Sequence, residues 1–84
     1  MVKAIKFYAD WCGPCKMYSK IWDKVAEEVE GVEFVEIDVD KDTTGLAAEY
    51  KVRSIPYTVI IKEEEEVKKT GLLQEQELKN LILN

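Results

Sequence analysis

The sequence predicts a small α/β domain with the element order β-α-β-α-β-β-α. Three observations lead there. Hydrophobic periodicity alternates along the chain between the two-residue repeat of strands and the three- and four-residue repeat of a helix. Strand-like runs rich in β-branched and aromatic residues flank a helical stripe, the signature of a βαβ unit. The chain has 84 residues, 46% hydrophobic and 35% charged, with a net charge of -5. That is enough for one core and too little for two, so one domain over residues 1–84 is expected.

The elements follow in order. VKAIKFY, residues 2–8, reads as the first strand, and Ala9 to Trp11 as a short turn. From Gly13 the period changes: Met17, Tyr18, Ile21, Trp22, Val25, Ala26 and Val29 form the apolar stripe of a helix, a core-packing face. Pro14 sits in its first turn, where a missing N–H costs nothing, and Gly31 is a natural left-handed stop. Residues 32–40, VEFVEIDVD, read as a second strand with Val32, Phe34 or Val35, Ile37 and Val39 turned inward. Two strands joined by one helix imply a parallel pair with a right-handed crossover. Asp42 or Thr43 is suited to cap a helix over residues 43–50. Pro56 opens a third strand, a position where its missing donor is tolerated. Glu63 to Glu66 reads as a solvated hairpin end before a short fourth strand, residues 67–70. Gly71 breaks that pattern, and Gln74 to Leu83 forms the last helix, with Leu78, Leu81 and Ile82 on one face.

Composition narrows the function. The acidic balance argues against non-specific nucleic-acid binding, which needs a basic face. No apolar run approaches the roughly 20 residues that cross a bilayer. The N-terminus lacks the long apolar centre of a signal peptide, so a cytoplasmic, monomeric protein is expected. The two cysteines, Cys12 and Cys15, enclose only Gly13 and Pro14. A bridge closing so short a loop adds little stability. A structural zinc site uses four Cys or His ligands, and this chain has two cysteines and no histidine. No metal and no cofactor beyond the cysteine pair is expected.

Placement gives the cysteines their chemistry. Cys12 falls where the first strand ends and the first helix begins, and the free N–H groups of a helix's first turn stabilise a thiolate. A thiolate is the attacking species in disulfide exchange. Cys15 lies almost one turn later on the same side, deeper in the helix, and is placed to attack Cys12 in turn. A lone C-x-x-C is a weak signal; at a strand-to-helix junction in a β-α-β pattern it is a strong one.

Trp11-Cys12-Gly13-Pro14-Cys15-Lys16 resembles the active-site hexapeptide of the thioredoxins. Phe7, Ala9, Asp38 and Asp40 fit the same family pattern, Val52-Arg53-Ser54-Ile55-Pro56 resembles its cis-proline segment, and Gly71 resembles the glycine before its last helix. The resemblance implies a thioredoxin-like fold with sheet order 2-1-3-4, strand 3 antiparallel to strand 1, the first and last helices on one face and the middle helix on the other. It implies that Trp11 flanks a substrate groove, that Ile55–Pro56 is cis and offers the Ile55 backbone to a substrate strand, and that Gly71 and Leu72 form another wall. Without the resemblance, Pro56 reads as an ordinary trans proline at the start of a strand.

Several positions depart from the family. The strand and helix with which thioredoxins usually begin are missing ahead of Cys12. The family's buried aspartate, six residues before the first cysteine, is replaced by Lys6. Its partner lysine on the next strand is replaced by Glu36. A pair with its charges exchanged, Lys6 with Glu36, is expected, since an unpaired buried ammonium is costly; the alternative is that Lys6 bends to solvent. Tyr57 stands where threonine is frequent. Lys20 stands where a kinking proline is frequent, which suggests a straighter helix.

The function expected is a protein-disulfide reductase, with protein disulfides as substrates and a thioredoxin-reductase-like electron donor. A glutaredoxin-like, glutathione-dependent reductase is the nearest alternative, favoured by the short chain and disfavoured by the Gly-Pro dipeptide and the solitary Gly71. A docking subunit with a thioredoxin fold is the non-catalytic alternative; it has no need of both thiols.

Overall fold

The computed structural model describes all 84 residues. Its elements are β1 (Val2–Tyr8), α1 (Gly13–Glu28), β2 (Val32–Asp38), α2 (Leu46–Glu49), β3 (Tyr57–Lys62), β4 (Glu65–Thr70) and α3 (Glu75–Leu83). The strands form one mixed sheet in the order β2-β1-β3-β4. β1 is central: β2 runs parallel to it and β3 antiparallel. The order and directions expected from the family resemblance are the ones found.

A strand covered on both faces must be apolar nearly throughout. Ala4, Ile5, Lys6 and Phe7 of β1 are all 0–1% exposed, so Lys6 is the exception to explain. On one face, Ala4 and Ile60 of the sheet pack under Tyr18, Trp22 and Val25 of α1 and Leu78 and Ile82 of α3. Trp22 meets Phe34 edge-on, with ring centroids 5.5 Å apart and planes at 88°. On the other face, Ile5, Phe7, Ile37 and Val59 pack against Leu46, Ala47 and Tyr50 of the α2 region. Phe34 and Val35 therefore both turn inward, to opposite faces, as neighbours on a doubly covered strand must.

Four details differ from the sequence reading. Met17 is 65% exposed and leaves the core to its neighbour Tyr18. β2 ends at Asp38 rather than at residue 40, since Asp40 turns back to donate its N–H to the Asp38 carboxylate. α2 is a single turn from Leu46, not a helix from residue 43. Asp42 does cap it, but from further back: its carboxylate accepts the N–H groups of Thr44 and Ala47, at 2.7 and 2.9 Å. Those bonds hold residues 42–45 in a turn that competes with helix. Finally, Glu65 and Glu66 belong to β4: Lys62 pairs with Glu65, so only Glu63 and Glu64 form the hairpin turn. Glu63 adopts φ +42°, the left-handed conformation such a tight hairpin demands, without the usual glycine or asparagine. α1 passes Lys20 without a break.

Candidate active site

The site is assembled where β1 runs out. Val39 N–H still bonds to Tyr8 O at 2.8 Å, and then the chain turns so that Cys12 N–H meets Ala9 O at 3.2 Å. Cys12 is the N-cap of α1, with extended backbone (φ -89°, ψ 111°) and Pro14 in the first turn beyond. Cys12 and Cys15 are joined as a disulfide with their Cα atoms 5.2 Å apart. The Cys15 N–H, one of the helix's unpaired first-turn donors, points at Cys12 Sγ at 3.1 Å. Sulfur is an unusual capping acceptor, and a thiolate accepts far better than a thiol. Cys12 is 5% exposed and Cys15 1%, so Cys12 is the outer sulfur and Cys15 the inner one.

Other segments close on the pair. The Ile55–Pro56 peptide is cis, and the Ile55 carbonyl oxygen lies 3.9 Å from Cys12 Sγ. Gly71, at φ +89°, donates its N–H to Pro56 O at 2.8 Å and ties β4's end to this loop. Trp11 is 71% exposed, yet its indole N–H is fixed by Asp40 Oδ2 at 2.7 Å. Gly13 and Pro14 are exposed beside the sulfurs.

One turn along α1 from Cys15, at Ser19, the helix meets the exchanged charge pair. Lys6 Nζ is 2.7 Å from Glu36 Oε1, with the lysine side chain 0% exposed and the glutamate 47%. Lys6 and Glu36 are also register partners across β1 and β2, which is why a one-for-one exchange fits. A second N–H goes to Ser19 Oγ at 2.9 Å, and the ammonium lies 5.3 and 5.6 Å from the ring centroids of Tyr8 and Trp22. Lys6 therefore does not bend to solvent. Burial, and then the carboxylates of Asp38, Glu36 and Asp10, hold the Tyr8 phenol above its usual range, so the ring faces the ammonium as a neutral one.

A groove of about 330 Å³ runs from Trp11 and Ile55 toward α2. Its walls include Val39, Ala47, Val52 and Arg53, none singled out from the sequence as site residues. Val39 and Val52 flank recognisable motifs, but nothing in their spacing distinguishes a groove wall from core. Gly71 and Leu72 do not line this groove; Leu72 packs on the α1–α3 core. The larger cleft, about 420 Å³, lies at the far end of β1 between Met1 and the hairpin; lined by Met1, Val2 and charged hairpin residues, it holds no nucleophile. No group of three or more Cys, Asp or Glu side chains converges as a metal site, and no helix is long and apolar enough to cross a membrane.

Comparison with known proteins agrees with this geometry. The thioredoxin family model matches residues 2–84. A thioredoxin of Mycoplasmoides gallisepticum is 37% identical over 79 residues, covering 93% of this chain and 78% of that protein. One from Pyropia yezoensis is 47% identical over 64 residues, covering 75% of this chain and 59% of its own length. Among solved structures, a mutant thioredoxin from Halobacterium salinarum superposes with a TM-score of 0.85 at 40% identity, over 96% of this chain and 71% of that one. Chloroplastic thioredoxin z gives 0.86 at 29% identity, over 98% and 75%. With a disulfide-forming Cys12–Cys15 pair at the N-cap of α1 beside a cis-proline, this chain belongs to the thioredoxin family and is a thiol–disulfide oxidoreductase.

Proposed function

We propose that the protein reduces protein disulfides, with Cys12 as the attacking sulfur and Cys15 as the resolving one. The Cys12 thiolate attacks one sulfur of a substrate disulfide. That S–S bond breaks, the departing sulfur leaves as a thiolate that takes a proton from solvent, and a Cys12–substrate mixed disulfide forms. Cys15, deprotonated, then attacks Cys12 Sγ; the second substrate sulfur departs and the Cys12–Cys15 disulfide is left. Two electrons pass to the substrate. A thioredoxin-reductase-like donor returns them.

The observation that carries this reading is the setting of Cys12 Sγ. It accepts the Cys15 N–H at the helix N-terminus and lies 3.9 Å from the Ile55 carbonyl. Helix-end donors favour the thiolate there, and an extended substrate segment pairing with the Ile55 backbone would bring its own sulfur alongside. Trp11, Gly13, Pro14 and Pro56 form the surface around that approach in this reading, with Gly71 and Leu72 behind the cis-proline loop. Lys6 and Glu36 tune it from below: the ammonium favours thiolates and Glu36 offsets part of that effect. The compartment is the cytoplasm, where thiol pools keep such a pair reduced. Insulin reduction tests the reading. Turnover is expected with a thioredoxin reductase and NADPH, and little with glutathione and its reductase; the opposite preference would overturn it.

A further inference from the structure

Besides Glu36, the Lys6 ammonium has one hydrogen-bonding side-chain partner, Ser19. Ser19 follows Cys15 by four residues on α1, so the two share a helix face. Its Oγ lies 2.9 Å from Lys6 Nζ. An ammonium can only donate. The Ser19 oxygen therefore accepts from Lys6, and the hydroxyl's own hydrogen must point away from it. On that side lies a narrow cleft of about 120 Å³, lined by Tyr8, Ala9, Asp10, Cys15, Lys16 and Ser19. At ~30 Å³ per molecule of liquid water it has room for a few waters. It is where Cys15, only 1% exposed, borders solvent.

We propose that Ser19 is a positioning residue for the resolving step. It accepts the Lys6 N–H and presents its hydroxyl hydrogen, through one water in this cleft, to Cys15 Sγ, stabilising the Cys15 thiolate. The proposal rests on the assignment of Cys15 as the resolving cysteine. In the mixed disulfide, the Cys15 thiol gives its proton to cleft water. Its electron pair attacks Cys12 Sγ, the Cys12–substrate bond breaks, and the substrate sulfur leaves with that bond's electrons and takes a proton from solvent. Ser19 is unchanged throughout. A donor whose oxygen is already polarised by a cation gives a stronger hydrogen bond to the anion.

The other charged groups around the cleft do not replace it. From β2, Glu36 is committed to Lys6, and Asp38 accepts the Asp40 N–H. Tyr8 of β1 carries a neutral phenol. Asp10, 3.7 Å from Lys41, and Lys16 of α1 are both exposed on the rim, with opposite signs and full solvent screening. From the buried Lys6 ammonium, the half-buried Ser19 leads to the cleft that Cys15 borders.

The test uses Cys12→Ser, which leaves Cys15 as the sole thiol, and follows the pH dependence of Cys15 alkylation by iodoacetamide. Adding Ser19→Ala is expected to raise the apparent Cys15 pKa by roughly one unit, and Ser19→Thr, which keeps the hydroxyl, to leave it near the parent. In the protein with both cysteines, Ser19→Ala slows resolution of a preformed mixed disulfide by roughly threefold to tenfold at neutral pH without slowing the first attack by Cys12. An unchanged Cys15 pKa in Ser19→Ala, or a rise in Ser19→Thr equal to that in Ser19→Ala, overturns the proposal. If the cysteine roles were reversed, the preformed mixed disulfide would form on Cys15 instead, an outcome visible without any Ser19 variant.

Discussion

Replacing Glu36 by glutamine removes the counter-charge of a fully buried ammonium. Glu36 Oε1 is 2.7 Å from Lys6 Nζ, with the lysine side chain 0% exposed and the glutamate 47%. Breaking a fully buried pair costs about 3–5 kcal/mol and breaking an exposed one about 0.2–1 kcal/mol. A pair with one dry member and one half-wet member falls between, at about 1–3 kcal/mol. Ser19 and the rings of Tyr8 and Trp22 remain to solvate the cation, which keeps the cost from the upper limit. Lys6→Met is the informative contrast. It removes the charge, keeps most of the volume, and leaves a glutamate that water can reach, so its cost should stay within about 1 kcal/mol. The two variants should also move the cysteine couple in opposite directions. With Lys6 unopposed, thiolates gain stability and the disulfide becomes more oxidising; with Glu36 alone, it becomes more reducing. Since 30 mV corresponds to about 1.4 kcal/mol for two electrons, a partly solvated charge should shift the potential by about 10–30 mV each way. Urea denaturation of the oxidised proteins gives the stabilities, and equilibration with glutathione buffers gives the potentials. A Glu36→Gln variant as stable as the parent beside a crippled Lys6→Met, or potentials that shift in the same direction, would refute the reasoning.

Two further outcomes follow from the packing. Tyr18 shares a buried hydrogen bond with Thr58 at 2.8 Å, and burial, only partly offset by that bond, pushes its phenol from 10.0 up to about 12. The folded state thus holds the phenolic proton more tightly than the unfolded chain does. That contribution, roughly 2–3 kcal/mol, is complete below pH 10 and is lost as pH rises toward about 12. Tyr18→Phe should be about 1–2 kcal/mol less stable than the parent at neutral pH, and that gap should close as pH rises above 10; a gap constant with pH in urea melts would contradict it. Trp22→Ala removes a side chain 1% exposed that meets Tyr18 and Phe34 edge-on, and should cost about 3–5 kcal/mol, lowering Tm by about 12 °C or more. A loss under about 1 kcal/mol would mean that the α1–β2 contact is not what holds this face.

What was legible in the sequence rested on local pattern or on the resemblance to a known family. The stripe through Tyr18, Trp22, Val25 and Val29 found its core because helical spacing alone decides which side chains share a face. The Lys6–Glu36 pair was expected from the family resemblance, whose aspartate and lysine stand at these two positions, and the in-register parallel strands place them side by side. The misplacements had local competitors. Asp42 satisfies the N–H groups of Thr44 and Ala47 and so shortens the helix that propensity alone would start at residue 43. Glu63 takes a left-handed conformation that its residue type does not advertise. Ser19 and the groove residues Val39, Ala47 and Arg53 were invisible for another reason. Their roles depend on which cleft they border, and that is settled only when α1, α2 and the cis-proline loop are brought around the end of β1.

The division of labour between the two sulfurs is the central claim, and trapping tests it most directly. Cys15→Ser, incubated with a protein disulfide substrate and analysed by intact mass without reductant, should accumulate a mixed disulfide on Cys12, because the serine cannot release it. Cys12→Ser should accumulate little, since Cys15 is 1% exposed and turned inward. Accumulation on Cys15 in the second variant, with none on Cys12 in the first, would contradict the account.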